Sequence, residues 1–122
     1  MKIEIEIEPI PNPRPRFSGG RCYEPARIKK FKTDVGIMAR QAMKGKPPFN
    51  SAVKVVCKFY RKYKETSRKF GDADNLLKSV MDALNKICWE DDSQIISCTA
   101  EKYQSPTPKI EIEVVKARQD AK

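Results

Sequence analysis

Residues 2–8 read KIEIEIE, and residues 109–115 read KIEIEVV. Each alternates aliphatic with charged side chains, the period of a β-strand, in which successive residues point to opposite faces. Ile3, Ile5 and Ile7 share one face of the first and Glu4, Glu6 and Glu8 the other; Ile110, Ile112 and Val114 turn inward in the second. Two strands of one sheet with a wet acidic outer face are expected, which antiparallel pairing permits. Between them, Ile28, Phe31, Val35, Met38, Ala39 and Ala42 recur at helical spacing, predicting a helix from Ala26 to about Lys44, ended by GKPP at 45–48. Residues 52–60, AVKVVCKFY, read as a strand. Leu76, Leu77, Val80, Met81, Leu84 and Ile87 form one apolar stripe, predicting a second helix from about Asp74, its N-cap, to Ile87. Residues 94–103, QIISCTAEKY, form a further strand, and SPTP at 105–108 turns the chain into the last. The order β-α-β-α-β-β implies an α/β (α+β) fold with two main helices on a small mixed sheet. With 122 residues, 1–122 should be a single domain.

The chain carries 25 Lys and Arg against 16 Asp and Glu, a formal charge of +9, and the charge is unevenly placed. Residues 10–70 hold 17 basic residues and only Glu24, Asp34 and Glu65 as acids. That asymmetry points to a surface that grips a polyanion with something acidic beside it; a merely solvated basic surface is the competing account. Residues 9–25, PIPNPRPRFSGGRCYEP, hold five prolines and two glycines and should contain no regular element. Arg14, Arg16 and Arg21 alternate there with Phe17 and Tyr23, a pattern suited to phosphates and bases. Arg68 and Lys69 close the basic run 61–70. No stretch approaches the roughly 20 apolar residues of a membrane span. The opening MKIEIEIEPI lacks the apolar block of a secretory signal, so a cytoplasmic protein is expected.

Cys22, Cys57, Cys88 and Cys98 are widely spaced and there is no histidine, which argues against zinc and for free thiols in a reducing compartment. Without histidine, Ser-His and Cys-His nucleophiles are excluded, and any catalysis must rest on carboxylates, lysine or metal.

The carboxylates gather at KFGDADNLLKSVMDAL, residues 69–84, and at WEDD, 89–92. Asp72 and Asp74 flank Ala73; in an extended segment both would point the same way and could share a cation. Asp74, Lys78 and Asp82 are spaced i, i+4 on the helix face opposite the leucines, where Asp82 would orient Lys78. Asp72, Asp74, a later acid and Lys78 are what Mg²⁺-dependent phosphodiester cleavage needs: oxygen donors for the ion and a cation near the phosphate. The predicted helix, about 20 Å long at 1.5 Å per residue, keeps its two acidic ends apart. They meet only if a second subunit supplies one end or the chain folds back. The bland account makes the aspartates caps and turn residues, and Trp89 a core plug.

The run Arg68-Lys69-x-x-Asp72-Ala73-Asp74-Asn75-Leu76-x-Lys78-x-x-x-Asp82-Ala83-Leu84, then Trp89-x-Asp91-Asp92-x-Gln94, resembles the signature of the RusA family of Holliday-junction resolvases. PNPRPRF and GGRCYEP resemble that family's proline- and arginine-rich N-terminal loop. The resemblance covers most of the chain. It implies a homodimeric, Mg²⁺-dependent endonuclease, with Mn²⁺ as a possible substitute and no small-molecule cofactor, that nicks four-way DNA junctions symmetrically. By position it assigns Asp72, Asp74 and Asp92 to the metal, with Asp91 the alternative to Asp92, and Lys78 to catalysis or phosphate contact. Charge and placement assign DNA contact to Arg14, Arg16, Arg21, Arg68 and Lys69. A non-catalytic nucleic-acid-binding module is the alternative; a D-x-D glycosyltransferase fails, because the chain has no room for a nucleotide-sugar domain.

Overall fold

The two alternating segments pair with each other. In the computed structural model, which describes residues 1–12, 16–18, 21–23, 25–62 and 72–117, β1 (Lys2–Ile5) runs antiparallel to the last strand, β6 (Lys109–Lys116). Ile3 lies opposite Ile112 and Ile5 opposite Ile110 on the inner face, while Glu4 faces Glu111 on the outer one. Lys109 answers that acidic row: its Nζ lies 3.3 Å from Glu4 Oε1 and 3.6 Å from Glu111 Oε1, over the Tyr60 ring. The glutamates are thus a solvated outer face with its own counter-charge.

β6 also pairs antiparallel with β4 (Val53–Arg61), which in turn pairs parallel with β5 (Ile95–Gln104), giving the order β1-β6-β4-β5. Parallel neighbours need a crossover, and α2 (Ala73–Leu84) lies within it. Val53, Val55, Cys57 and Phe59 alternate into the core of β4. They meet Ile28, Phe31, Val35 and Ala39 of α1 (Ala26–Met43) and Leu76, Val80 and Leu84 of α2, all in one buried cluster. α1 ends at Lys44, which takes the left-handed conformation (φ 52°), followed by Gly45 (φ 76°), as GKPP leads one to expect. The mixed α+β fold, a four-stranded mixed sheet with two helices, is the one expected from the sequence. Among the described residues no helix is long and apolar enough to cross a membrane.

Three details depart from the sequence reading. The proline-rich segment is not free of regular structure: β2 (Arg16–Ser18) and β3 (Arg21–Tyr23) pair antiparallel, inserting a hairpin before α1. None of those six residues is proline, so every ladder donor survives between the flanking prolines. β1 stops at Ile5, short of residue 8, where the Ile7 N–H turns back to the Ile5 carbonyl at 3.0 Å. α2 begins at Ala73 with Asp72, not Asp74, as its N-cap, and ends at Leu84, short of Ile87.

Candidate active site at the two ends of helix α2

At the N-terminal end of α2, Asp72 has an extended backbone (ψ 145°), and its carbonyl accepts the first helical bond, from Leu76 N–H at 3.0 Å. Its side chain makes no capping bond. Asp74 lies inside the first turn, so the shared extended segment expected for the pair is not what forms. Both carboxylates are exposed, and no hydrogen bond or ion pair with a described residue engages either. The bland account of this D-x-D, a cap made by the side chain, is therefore not the role these atoms play. Two anions beside the positive end of a helix are stabilised there by the helix dipole. Lys78 is exposed one turn beyond Asp74. Asp82 does not orient it; its carboxylate pairs instead with Lys32 of α1 at 3.3 Å, tying the helices together.

The same end of α2 anchors the start of the proline-rich segment. Ser79 is fully buried, and its hydroxyl donates to the Ile10 carbonyl at 2.7 Å, while Asn12 N–H donates to the Asn75 carbonyl at 3.1 Å. The chain that continues toward Arg14 thus leaves from the surface of α2 beside Asp74. Arg14, Arg68 and Lys69 lie outside the described residues. Arg16 and Arg21 are placed by their backbone only, on facing strands of the hairpin, where Arg21 pairs with Ser18 and Arg16 with Tyr23.

The C-terminal end of α2 leads into the second acidic group. Asn85 and Phe49 bridge to Trp89, which is fully buried. Its indole Nε1–H donates to Asp92 Oδ1 at 2.9 Å. Asp91 caps the short 3₁₀ turn Asp92–Gln94: its carboxylate accepts from Ser93 N–H at 2.9 Å, and Gln94 Oε1 accepts from Asp91 N–H at 2.9 Å. The bonds from Ser93 hold the Asp91 carboxyl below its ordinary range. The two neighbouring aspartates therefore differ: Asp91 is occupied in its own turn, whereas Asp92 has one oxygen held by an indole and no described partner on the other. Trp89 is the core plug expected, and also more. The Asp-x-x-Gln spacing is a capping-box signal that the sequence carried at 91–94; the burial of Ser79 had no comparable signal.

The two acidic groups do not meet within one protomer. α2 has 12 residues and rises about 18 Å between them. β5 starts beside Val53, at the opposite end of β4 from the crossover into α2, so the chain does not fold back. Among the described residues, no three acidic or thiol side chains converge tightly enough to hold a metal ion. The donor chemistry nevertheless suits Mg²⁺, which prefers a few carboxylate oxygens and retained water: Asp72 and Asp74 offer exposed carboxylates with no structural duty in the described residues.

Comparison with known proteins places these features. A family model described as Endodeoxyribonuclease RusA matches residues 6–115, a span that contains both acidic groups. The chain is also 31% identical, over 133 aligned residues, to the uncharacterized protein YqaN of Bacillus subtilis (strain 168), covering 92% of this chain and 93% of that protein.

Proposed function

Since the chain belongs to the RusA endodeoxyribonuclease family, and is accordingly a Holliday-junction-resolving nuclease that binds branched DNA, we propose that it acts as a Mg²⁺-dependent homodimer whose sites are shared between protomers. In each site Asp72, Asp74 and Lys78 come from one protomer and the third acid is Asp92 of the partner subunit. The observation that carries this reading is the pair at the α2 N-terminus: Asp72 caps with its backbone alone, and its carboxylate and that of Asp74 stay exposed and engaged by no described residue. The separation of Asp92 by about the length of α2 favours completion by a second copy over a site within one chain. A two-fold dimer would then carry two equivalent sites, which paired symmetric nicks at one junction require.

When bound, Mg²⁺ would polarise the scissile phosphate and lower the pKa of a water ligand. The protein's own part is to present the three carboxylates as oxygen donors and to set the Lys78 ammonium against phosphate charge. With no histidine in the chain, no imidazole shares this work. Arg14, Arg16, Arg21, Arg68 and Lys69 would supply the phosphate grip that brings the junction in, during recombination and repair. The free thiols Cys57, Cys88 and Cys98 suit the reducing cytoplasm in which such an enzyme would work.

The decisive assay incubates the protein with a labelled four-way junction and with a linear duplex of the same sequence, with and without Mg²⁺ or Mn²⁺. Cleavage of the junction alone, only with divalent metal, is expected. Asp74→Asn should abolish cleavage while junction binding persists; a variant that still cuts overturns the assignment. Salt-sensitive binding with no divalent-dependent cleavage would instead identify a non-catalytic binding module.

A further inference from the structure

The Asp92 side chain is exposed on a short turn, where a carboxylate ordinarily samples several rotamers and loses that freedom on taking a metal. Here it is restrained beforehand. Trp89 is fully buried, its carbonyl accepts the Lys86 N–H at 2.9 Å, and its Nε1–H reaches Asp92 Oδ1 at 2.9 Å. The turn itself is clamped by Gln94, whose Oε1 accepts from Glu90 and Asp91 N–H at 2.8 and 2.9 Å. Its Nε2 donates to the Phe49 and Ser51 carbonyls at 2.7 and 2.8 Å. The turn that carries Asp92 and the Asp92 side chain are thus held by two different neighbours, Gln94 and Trp89.

We infer that Trp89 is a positioning residue of the nuclease site: its indole N–H holds Oδ1 of Asp92 and leaves Oδ2 as the ligand oxygen offered to the metal. This rests on the reading of Asp92 as a metal ligand given above. Hydrogen bonds that orient a ligating carboxylate from behind raise metal affinity, and their loss typically costs about 10–100-fold in affinity or activity. A buried indole N–H also needs an acceptor for its own sake. A purely structural bond, however, would leave the metal requirement unchanged when the N–H is removed and the ring kept.

Trp89 is the one tryptophan in the chain, so the ring can be replaced uniquely. Biosynthetic replacement of tryptophan by benzothienylalanine retains the bicyclic shape and exchanges N–H for sulfur. The full-length analogue protein should bind the junction without metal as the parent does, and reach the parent's maximal cleavage rate at saturating Mg²⁺. Its half-maximal Mg²⁺ concentration should rise about 10–100-fold, and Mn²⁺ binding followed by electron paramagnetic resonance should weaken by a similar factor. An unchanged Mg²⁺ requirement in a protein that melts like the parent overturns the inference. If the analogue fails to fold, Trp89→Phe is scored in the same way. Asp92→Asn separates the two levels: if it cleaves normally, the site reading itself fails; if it is inactive and the analogue behaves like the parent, only the role of Trp89 falls.

Discussion

Gln94 uses both lone-pair positions and both N–H groups of its amide on backbone partners from two separate segments. Gln94→Ala leaves the Phe49 and Ser51 carbonyls to find other donors, and should cost about 1–3 kcal/mol of stability in a denaturant titration. Gln94→Glu should cost more at neutral pH, because it sets a carboxylate against two carbonyl oxygens; equal stability of the two variants would sink this account. The residue scale is also where sequence reasoning was most uneven. The motif named Asp72, Asp74, Asp91, Asp92 and Lys78, and the helix length alone kept the two acidic groups apart. It misassigned Asp82, because Lys32, its partner, lies 50 residues away and spacing within one helix cannot register it. It set the N-cap two residues late, because Asp72 and Asp74 are both good cap residues by type.

At the scale of elements, period-2 and period-3.6 patterns revealed both terminal strands, β4 and both helices, because each buries only one face and writes that face into its sequence. The hairpin β2–β3 was hidden because three-residue strands are too short to show a period, and flanking prolines dominate the composition. That β4 pairs with β5 in parallel was likewise illegible, since strand order is decided by packing between distant segments. β4 carries a pH signature. Burial, more than the proximity of Cys98, pushes the Cys57 thiol up to about 12, and burial pushes Cys88 up to about 11. A buried thiol whose pKa is raised holds its proton more tightly than the unfolded chain. Its contribution is therefore full below about 9 and is lost as pH climbs toward 12. Stability should fall over that window by an amount on the order of a few kcal/mol, and Cys57→Ala should flatten the fall. Melting curves from pH 8 upward check it; parallel curves for parent and variant contradict it.

At the scale of the whole molecule, a shared site makes a prediction that no single variant can. Asp74→Asn and Asp92→Asn proteins should each be inactive, yet mixing them allows heterodimers in which one site has lost both groups and the other is intact. With random assortment, activity should return to about a quarter of the parental number of sites, and as single nicks where the parent should make paired ones. No recovery after subunit exchange would mean that each protomer carries its site whole. The sheet adds a consequence of a different kind. β5 is an edge strand among the described strands, and Ile96, Cys98 and Tyr103 along it are exposed. An open ten-residue edge invites indiscriminate strand addition, the first step of aggregation. On a chain of charge +9, mutual repulsion opposes that encounter. Such protection is ionic and fades as salt shortens its range from about 10 Å at 0.1 M to about 3 Å at 1 M. Colloidal shelf life should therefore be longest in dilute buffer, the reverse of the usual practice of storing DNA-binding proteins in high salt.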